Sequence, residues 1–396
     1  MRFVFWLLCL LLVLDSLLRF VLLCLRALGL ERADSAEATA AGRCVVLIAA
    51  KDEAGTIGPT VAALGPQLAE WPGSSLWVVA DRCEDDTARE AGAAGAGVAV
   101  RAEGRLGKGA VIAWWMQNYK DAWRSQDTIL VVDADSRLLP GSLRALKGAI
   151  EKRNDAAQAF VMPEASTRSG RLAGWSEILM QRIDDEARCR NGWQIPLRGT
   201  GMALRAELLA ELAPKLHTLA EDLELDIMLA ARGAKVVFVS DAVIVDPKPQ
   251  HSAGAARQRA RWLRGQLQVL RGYTSEIFRA LTAGGVGAWF LLPLLFLRPR
   301  TLFIGLRLLT VGTGMLVTFT RLSVAPTFNL MLWSALVGLA LDTFYYLAAI
   351  KLVDNRREYV LDLLAAPRYA LMWLYSLGLL LIRRGWLRAG RSNTSP

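Results

Sequence analysis

Histidine and cysteine are scarce in this 396-residue chain, and their scarcity argues against several kinds of site. The 2 histidines, His217 and His251, are far apart and lack metal-ligand spacing, so we expect both in loops. The 5 cysteines are scattered without a CxxC pair, which argues against a zinc site or a disulfide framework. Such cysteine usage suits a reducing compartment.

The common glycine fingerprints for nucleotides are also missing. Residues 106–109, Leu-Gly-Lys-Gly, lack the upstream glycine and the following serine or threonine of a P-loop, and no Rossmann fingerprint occurs. A phosphate-bearing ligand would therefore be held by a metal ion and side chains. The net charge of +10 comes without a nucleic-acid motif, so we expect no nucleic-acid partner and an anionic membrane surface instead.

Apolar residues are abundant, at 53% of the chain, and they are concentrated at its two ends. Residues 3–25 form an apolar run long enough to cross a bilayer. No small-residue cleavage site follows directly, which predicts an uncleaved anchor over residues 1–28 rather than a signal peptide. Asp15 and Arg19 interrupt the run four residues apart, on one helix face, where they can pair.

The C-terminal membrane region is predicted over residues 284–396. Segments 302–320 and 330–352 are long enough to span, which predicts three spans in all. Segment 289–297 is too short, and segment 361–382 contains a proline and an arginine. We expect these last two segments to lie in the membrane interface.

Three basic clusters flank these segments, at residues 298–300, 356–357 and 383–391. Because such clusters stay on the cytoplasmic side, we predict a multi-pass protein of the inner or plasma membrane. Its middle region, residues 43–275, would face the cytoplasm. Two or three confident spans are too few to enclose the midplane site of a transporter.

The middle of the chain alternates predicted strands with helices after a small, polar linker at residues 33–42. This alternation is typical of an α/β fold with a doubly wound, mostly parallel sheet. The predicted strands are residues 44–48, 76–80, 98–101, 129–132, 236–239 and 242–245.

Acidic side chains recur where the predicted strands end. Asp133 and Asp135 follow the apolar run 129–132, and Glu53 and Asp81 follow two earlier strands. Open α/β sheets bind ligands at the carboxyl ends of their strands. Two carboxylates one residue apart can bind a divalent cation that keeps positions free for substrate phosphates. A solvated acidic turn can explain one acidic residue at a strand end, but it does not explain why acidic residues recur at the ends of several predicted strands.

Two later segments add charged groups. Glu221 and Asp222 open a predicted helix, where acids also complement the helix dipole. Gln258, Arg261 and Trp262 begin a strongly basic helix, a pattern also typical of an amphipathic helix at a membrane surface.

Taken together, this ordered set resembles the membrane-bound branch of the family 2 glycosyltransferases, which includes cellulose, chitin and hyaluronan synthases and ceramide glucosyltransferases. The likeness covers about residues 43–270 and is carried by Asp81, Asp133-Ala134-Asp135, Glu221-Asp222 and Gln258-x-x-Arg261-Trp262. It implies a GT-A catalytic domain over residues 43–275. It also implies inverting transfer from a nucleotide sugar, a UDP-sugar, with Mn²⁺ or Mg²⁺ as the cofactor.

The resemblance implies roles for individual residues. Asp222 matches the general base, preceded in its motif by Glu221, and Asp135 with Asp133 matches the metal ligands. The implied donor-binding residues are Ala50, Glu53, Asp81, Lys108, Asp133, Gln258, Arg261 and Trp262. The sequence lacks the family's threonine before Glu221, and it has Lys-Asp at residues 51–52 where Tyr-Asn is frequent.

Three of these roles are more specific. Asp81 matches the carboxylate that contacts a uracil base. Lys108 matches the lysine of a Gly-Lys-Gly loop near the base or the phosphates. Gln258, Arg261 and Trp262 match the motif that closes over the diphosphate and lines the acceptor end.

Alternatives to a single-transfer enzyme are a processive polysaccharide synthase and a non-catalytic scaffold that binds a nucleotide sugar. A processive synthase needs a secretion channel, usually built from more than three spans. We therefore expect one or a few transfers to a lipid-linked or membrane-proximal acceptor, a lipid or a glycan. We expect packing or membrane-edge roles for Trp114, Trp115, Trp175 and Trp193. Asp184, Asp185 and Glu186 fit a solvated helix face, but the resemblance also implies that this region lies near the acceptor.

Overall fold

The computed structural model describes residues 2–28, 42–152, 154–249, 252–296, 300–319, 326–353 and 355–382. Most of the predicted linker, His251 and two of the three basic clusters, 298–299 and 383–391, lie outside these residues.

One mixed sheet organises the middle of the chain. Its strands are β1 Cys44–Ala50, β2 Ser75–Asp81, β3 Gly97–Arg101, β4 Thr128–Asp133, β5 Arg137–Leu138, β6 Ala156–Glu164, β7 Met202–Arg205 and β8 Val236–Pro247. Their order is β3-β2-β1-β4-β7-β6-β8-β5. Strands β1 to β4 are mutually parallel, whereas β7 runs antiparallel to both β4 and β6. The predicted α/β class is confirmed, but the two strands predicted within 236–245 are one continuous strand, β8.

The helices cover both faces of the sheet and make up the two ends of the described chain. They are α1 Arg2–Ala27, α2 Ile57–Ala69, α3 Thr87–Ala93, α4 Lys108–Asn118, α5 Ser142–Glu151, α6 Arg168–Leu179, α7 Glu186–Arg190, α8 Ala206–Leu212, α9 Glu221–Ala230, α10 Ser252–Gly272, α11 Thr274–Ala283, α12 Gly285–Phe296, α13 Arg300–Phe319, α14 Pro326–Ala349, α15 Arg356–Leu363 and α16 Ala366–Ile382. A π-helical segment, Met180–Asp185, joins α6 to α7.

Alternate residues of the buried strands enter two separate cores. Leu47 of β1 packs with α4, α8 and α9, whereas its neighbours Val46 and Ile48 pack with α2 and α5. This follows from the twofold alternation of side chains along a strand. Leu291 of α12 belongs to the first core, so the packing of the sheet region continues beyond residue 275.

Three helices are long and apolar enough to cross a membrane, over Phe5–Ala27, Arg300–Phe319 and Phe328–Leu352. They are packed together around buried ions rather than apolar residues alone. Arg307 of α13 pairs with Asp15 of α1 and with Asp342 of α14, and Ser16 donates to Asp342 at 2.8 Å. A Cβ added to Gly338 of α14 would lie 2.4 Å from the carbonyl oxygen of residue 12, so α1 and α14 are in direct backbone contact.

Asp15 and Arg19 do not pair with each other, contrary to what their spacing allows. Arg19 pairs instead with Asp184 of the π-helical segment, and Tyr345 of α14 donates to the same carboxylate at 3.1 Å. Helix α1 therefore forms ion pairs on two sides. Asp15 pairs with α13, and Arg19 pairs with the π-helical segment of the sheet region.

The last helices also pack on the sheet region. Arg259 of α10 lies over the rings of Tyr369 and Trp373 of α16, at 4.9 and 5.1 Å from their centroids. Arg171 of α6 donates to both oxygens of Asp362 in α15, at 2.8 and 2.9 Å. These contacts hold α15 and α16 against the face that carries α10.

Candidate functional site

The carboxyl end of β4 carries a group of three carboxylates. Asp133 ends the strand, Asp135 follows in the turn, and Asp246 comes from the last part of β8. One oxygen from each lies within 4.8 Å of the others, and all three side chains are partly buried. A divalent cation of the Mg²⁺ or Mn²⁺ type prefers such oxygen ligands, so this donor set fits a metal ion. Sequence reasoning missed Asp246, because its position depends on a strand far along the chain.

Asp246 is held by a lysine beside it. Lys248 Nζ lies 2.7 Å from Asp246 and 2.6 Å from Glu177 of α6. Burial raises the pKa of Asp246 to about 6, against the opposing effect of Lys248. A bound cation would favour the ionised carboxylate and reverse this shift.

Lys108 connects this group to the next. It is the first residue of α4, and its Nζ donates to Asp133 and, at 2.7 Å, to the carbonyl oxygen of Gly199. Burial lowers the pKa of Lys108, but Asp133 and then Glu221 outweigh it and raise the pKa above its usual value. Gly109 permits this approach, since a Cβ there would lie 2.9 Å from Leu216.

Glu221 and Asp222 begin α9 beside Gly199, the glycine whose carbonyl oxygen accepts from Lys108. Gly199 has a φ of +80°, and a Cβ added to it would lie 3.9 Å from Glu221 Oε1 and 4.0 Å from Asp222 Oδ2. Burial, followed by repulsion from Asp222, raises the pKa of Glu221 to about 7 although Lys108 opposes it. Lys108, Asp133, Glu221 and Asp222, here called the carboxylate–lysine cluster, therefore surround one glycine.

A buried glutamate that the sequence did not single out fixes the start of α9. Glu224 accepts hydrogen bonds from the backbone N–H groups of His217 and Thr218, both at 2.9 Å, and from the hydroxyl of Tyr273 at 2.9 Å. His217 lies in this loop, as predicted, and its ring stacks on Tyr273. The loop and α9 thus hold Glu221 and Asp222 in place.

Helix α10 packs against the same loop. A Cβ on Gly265 would lie 2.6 Å from the Cβ of Ala220, the residue before Glu221, and Gln268 accepts from the N–H of Leu219 at 3.1 Å. Arg261 precedes Gly265 by four residues, so the two share a helix face. Arg261 therefore lies one helical turn from the close contact at Gly265, on the face of α10 that packs against the loop leading into the cluster.

Gln258 and Trp262 line a cleft on the same side of α10 as Arg261, because residues three and four apart share a helix face. Its other walls are formed by α6, by residues that follow β8, and by α16. Lys248 is shared between this cleft and the carboxylates at β4, and Trp262 is 38% exposed. The structure thus brings Gln258 and Trp262 near the candidate metal ligands.

The predicted nucleotide end lies at β1 and β2. Asp81 is 5% exposed and accepts from Arg101 at 2.6 Å and from Arg82, which has a φ of 52°. Ala50 ends β1, and the N–H of Glu53 donates to Thr87 at 2.7 Å. Asp81 is thus already engaged by two arginines.

Residues 184–186 are not a solvated helix face, contrary to prediction. Asp184 and Asp185 are 4% and 1% exposed, because Arg19 and Arg198 neutralise them. The tryptophans pack as expected: Trp115 is fully buried, and Trp193 stacks on an aromatic ring of α12 at 5.0 Å.

Known proteins resemble this chain in sequence and in fold. A family model described as glycosyltransferase-like family 2 matches residues 41–265, more than half of the chain. A search of curated proteins finds no match. A mannosyltransferase from Pyrobaculum calidifontis, in complex with GDP-Man and Mn²⁺, aligns over 96% of this chain and 99% of its own at 14% identity, with a TM-score of 0.55. That likeness shows a shared fold, and the predicted GT-A fold is confirmed.

A second solved structure matches less of the chain. The glucosyl-3-phosphoglycerate synthase of Mycobacterium tuberculosis, in complex with Mn²⁺, UDP and phosphoglyceric acid, aligns over 61% of this chain and 81% of its own. The identity is 23% and the TM-score is 0.42.

Proposed function

Because the chain belongs to the family 2-like glycosyltransferases, we propose that it is a membrane-bound, inverting enzyme. It transfers one sugar at a time from a UDP-sugar to a lipid-linked or membrane-proximal acceptor. The observation that carries this proposal is the carboxylate–lysine cluster around Gly199, which joins the metal-type carboxylates at β4 to Asp222 on α9.

Asp133, Asp135 and Asp246 would hold Mn²⁺ or Mg²⁺, and both solved neighbours contain Mn²⁺. Such a cation, when bound, neutralises the charge that develops on the departing nucleoside diphosphate. Lys108 holds Asp133 in place through its ammonium group and is itself fixed by the carbonyl of Gly199.

Asp222 is the proposed general base. Inversion needs a base within hydrogen-bond reach of the acceptor hydroxyl, on the face opposite the leaving group. Asp222 and Asp133 both lie near Gly199, and we assign the acceptor side to Asp222 because it begins α9, whereas Asp133 ends β4 among the metal-type carboxylates. Glu221 supports the base, since its raised pKa of about 7 leaves a proton beside Asp222 near neutral pH.

Helix α10 supplies the groups proposed to act on the diphosphate and the acceptor. Arg261 lies on the face that approaches the loop before Glu221, where a cation stabilises the leaving group. Gln258 and Trp262 line the cleft beside Lys248, where a sugar acceptor can stack on the indole ring.

At the nucleotide end, Asp81 and Arg82 form a paired acceptor and donor at the end of β2. Such a pair complements a base edge that presents both a donor and an acceptor, as uracil does. Guanine presents both as well, so the donor panel must include GDP-sugars.

Two features support a cytoplasmic domain and single transfers. Arg356 and Arg357 are exposed at the start of α15. Asp362 of the same helix accepts a hydrogen bond from Arg171 of α6, so this basic pair lies on the side of the sheet region. The positive-inside rule then favours the cytoplasm for that side. Among the described helices, the space between α1, α13 and α14 is filled by Arg307 and its carboxylates, which argues against a secretion channel there.

The test is transfer by the purified full-length protein in lipid nanodiscs, with a panel of UDP- and GDP-sugars and membrane lipids. We expect release of UDP and a glycosylated lipid by mass spectrometry, dependent on Mn²⁺ or Mg²⁺ and abolished in Asp135→Ala. A non-catalytic scaffold would instead bind a nucleotide sugar with no metal-dependent release from any donor, and that result would refute the enzyme.

A further inference from the structure

A second group of charges lies behind the carboxylate–lysine cluster, between α1, the π-helical segment and α12. It lines a small, partly open pocket whose polar walls are Arg19, Asp184, Asp185, Arg188 and Arg198. Leucines of α12 form the apolar wall. We call these five charged residues and the space between them the arginine pocket.

The charges of the arginine pocket do not balance. Arg19 pairs with Asp184, and Arg198 pairs with Asp185. Arg188 is 2% exposed and donates to the carbonyl oxygen of Phe290 at 2.9 Å, but it has no ion pair among the described residues. Three guanidinium groups thus share two carboxylates, and the buried surplus of positive charge is costly unless an anion joins it.

The donors of these arginines are also incompletely used. The Nε atoms of Arg19, Arg188 and Arg198 are all buried, and none makes a hydrogen bond to a described residue. Burial lowers the pKa of Arg188 even though Asp185 and Asp184 act against it. Arginine groups of this kind bind phosphate through paired N–H donors, which would satisfy both the charge and the unused hydrogens.

The surroundings indicate which kind of anion fits. Arg19 belongs to a helix that is apolar enough to span a membrane, and Leu291 and Leu294 of α12 complete the wall. Arg198 immediately precedes Gly199, which lies against Asp222. The pocket therefore combines an anion site and an apolar wall, close to the proposed base.

We propose that the arginine pocket binds the phosphate group of a lipid acceptor, whose chains lie along α1 and α12. This inference rests on the proposed function and names its acceptor class. The reacting hydroxyl of the acceptor gives its proton to Asp222 while its oxygen bonds to the anomeric carbon. The bond from that carbon to the diphosphate breaks, and the electron pair leaves with the nucleoside diphosphate.

The test measures binding of dodecyl phosphate, dodecanol and inorganic phosphate to the full-length protein in detergent, by calorimetry without donor or metal. We expect dodecyl phosphate to bind most tightly, and about 10- to 100-fold more weakly to Arg188→Met, because charge-assisted hydrogen bonds are lost. Arg190→Met, on the same helix but outside the pocket, should bind normally. Equal binding to Arg188→Met and wild type, or of dodecanol and dodecyl phosphate, would overturn the site.

Inorganic phosphate that binds as tightly as dodecyl phosphate would overturn the lipid part of the inference. Should Arg188→Met fail to fold, wild-type kinetics decide: dodecyl phosphate must compete with the acceptor and not with the nucleotide sugar. The proposed function is judged separately. Equal transfer to neutral and phosphate-bearing lipids, unchanged in Arg188→Met, would retain the enzyme and remove this site. Binding of dodecyl phosphate without transfer from any donor to any lipid would retain the site and remove the enzyme.

Discussion

Two groups of buried charges in this protein have opposite arrangements. Among the long apolar helices, Arg307 pairs with Asp15 and Asp342, and Arg300 also pairs with Asp342 at 2.9 Å, so two guanidinium groups face two carboxylates. In the carboxylate–lysine cluster, Lys108 faces three carboxylates, and one of them, Glu221, has its pKa raised to about 7. A balanced group can hold helices together without any ligand. A group with excess negative charge is suited to bind a cation and to accept a proton.

The largest effect is expected when the carboxylate–lysine cluster loses the side chain proposed to accept the proton of the acceptor. Asp222→Asn keeps the size of the side chain, and we expect turnover to fall by about 10²–10⁴, the usual contribution of a positioned general base. Donor and metal binding, measured by calorimetry, should stay near normal. Glu221→Gln is the matched neighbour and should lose less activity. An active Asp222→Asn enzyme would remove the base from the mechanism.

Neutralising the central ion of the other group should affect folding. Arg307→Met leaves Asp15 buried without its guanidinium, although Arg300 still pairs with Asp342, and we expect a loss of about 3–5 kcal/mol in the free energy of unfolding. Denaturant unfolding in detergent measures it. Replacing Arg307 and Asp15 together by apolar residues should recover much of the loss, because Asp342 then keeps Arg300 and Asp15 no longer leaves an unpaired carboxylate. A fully stable Arg307→Met protein would contradict a structural role for this group.

Asp246 tests whether the cluster extends to β8. Asp246→Asn should raise the Mn²⁺ concentration for half-maximal transfer by about 10- to 100-fold, the range typical of groups around a metal. Asp241→Asn, an exposed position on the same strand, serves as the control. An unchanged metal requirement in Asp246→Asn would limit the site to Asp133 and Asp135.

The smallest expected effect is on the pH dependence of stability. The raised pKa of Glu221 means that the folded protein holds a proton there between pH 4.5 and about 7, whereas the unfolded chain has lost it. The contribution of this proton to the free energy of unfolding is fully present below pH 4.5 and is lost as the pH rises through about 7. Glu221→Gln should therefore show a shallower fall in the free energy of unfolding over this range, measured in chelator. Identical slopes would exclude a raised pKa.

The sequence predicted the parts of the fold and site that depend on local patterns. Strands β1, β2 and β4 are β-branched runs followed at once by charged residues, so Asp81, Asp133 and Asp135 could be located from the sequence. Contacts between distant segments could not. Asp246 reaches the other carboxylates only because β8 pairs with β6 across an irregular register.

The pairing of ions in the membrane helices shows the same limit. The spacing along α1 predicted that Asp15 could pair with Arg19. In the structure Asp15 pairs with Arg307 of α13, and Arg19 pairs with Asp184 of the π-helical segment, both far away in the sequence. The spacing of residues along one helix cannot predict such partners, because the tertiary fold determines which opposite charge lies beside each buried ion and offsets its desolvation.

The stacking of Arg259 between Tyr369 and Trp373 has a consequence for the order of events during synthesis. The helix that carries Gln258, Arg261 and Trp262 is made before α13 and α14, but its aromatic partners are made after both. A ribosome-bound chain can form its sheet while α10 still lacks this contact, because contacts between distant segments form late. Helices α13 and α14 are thus made before the last packing step of α10, so the candidate site is completed only after the C-terminal helices have joined the fold.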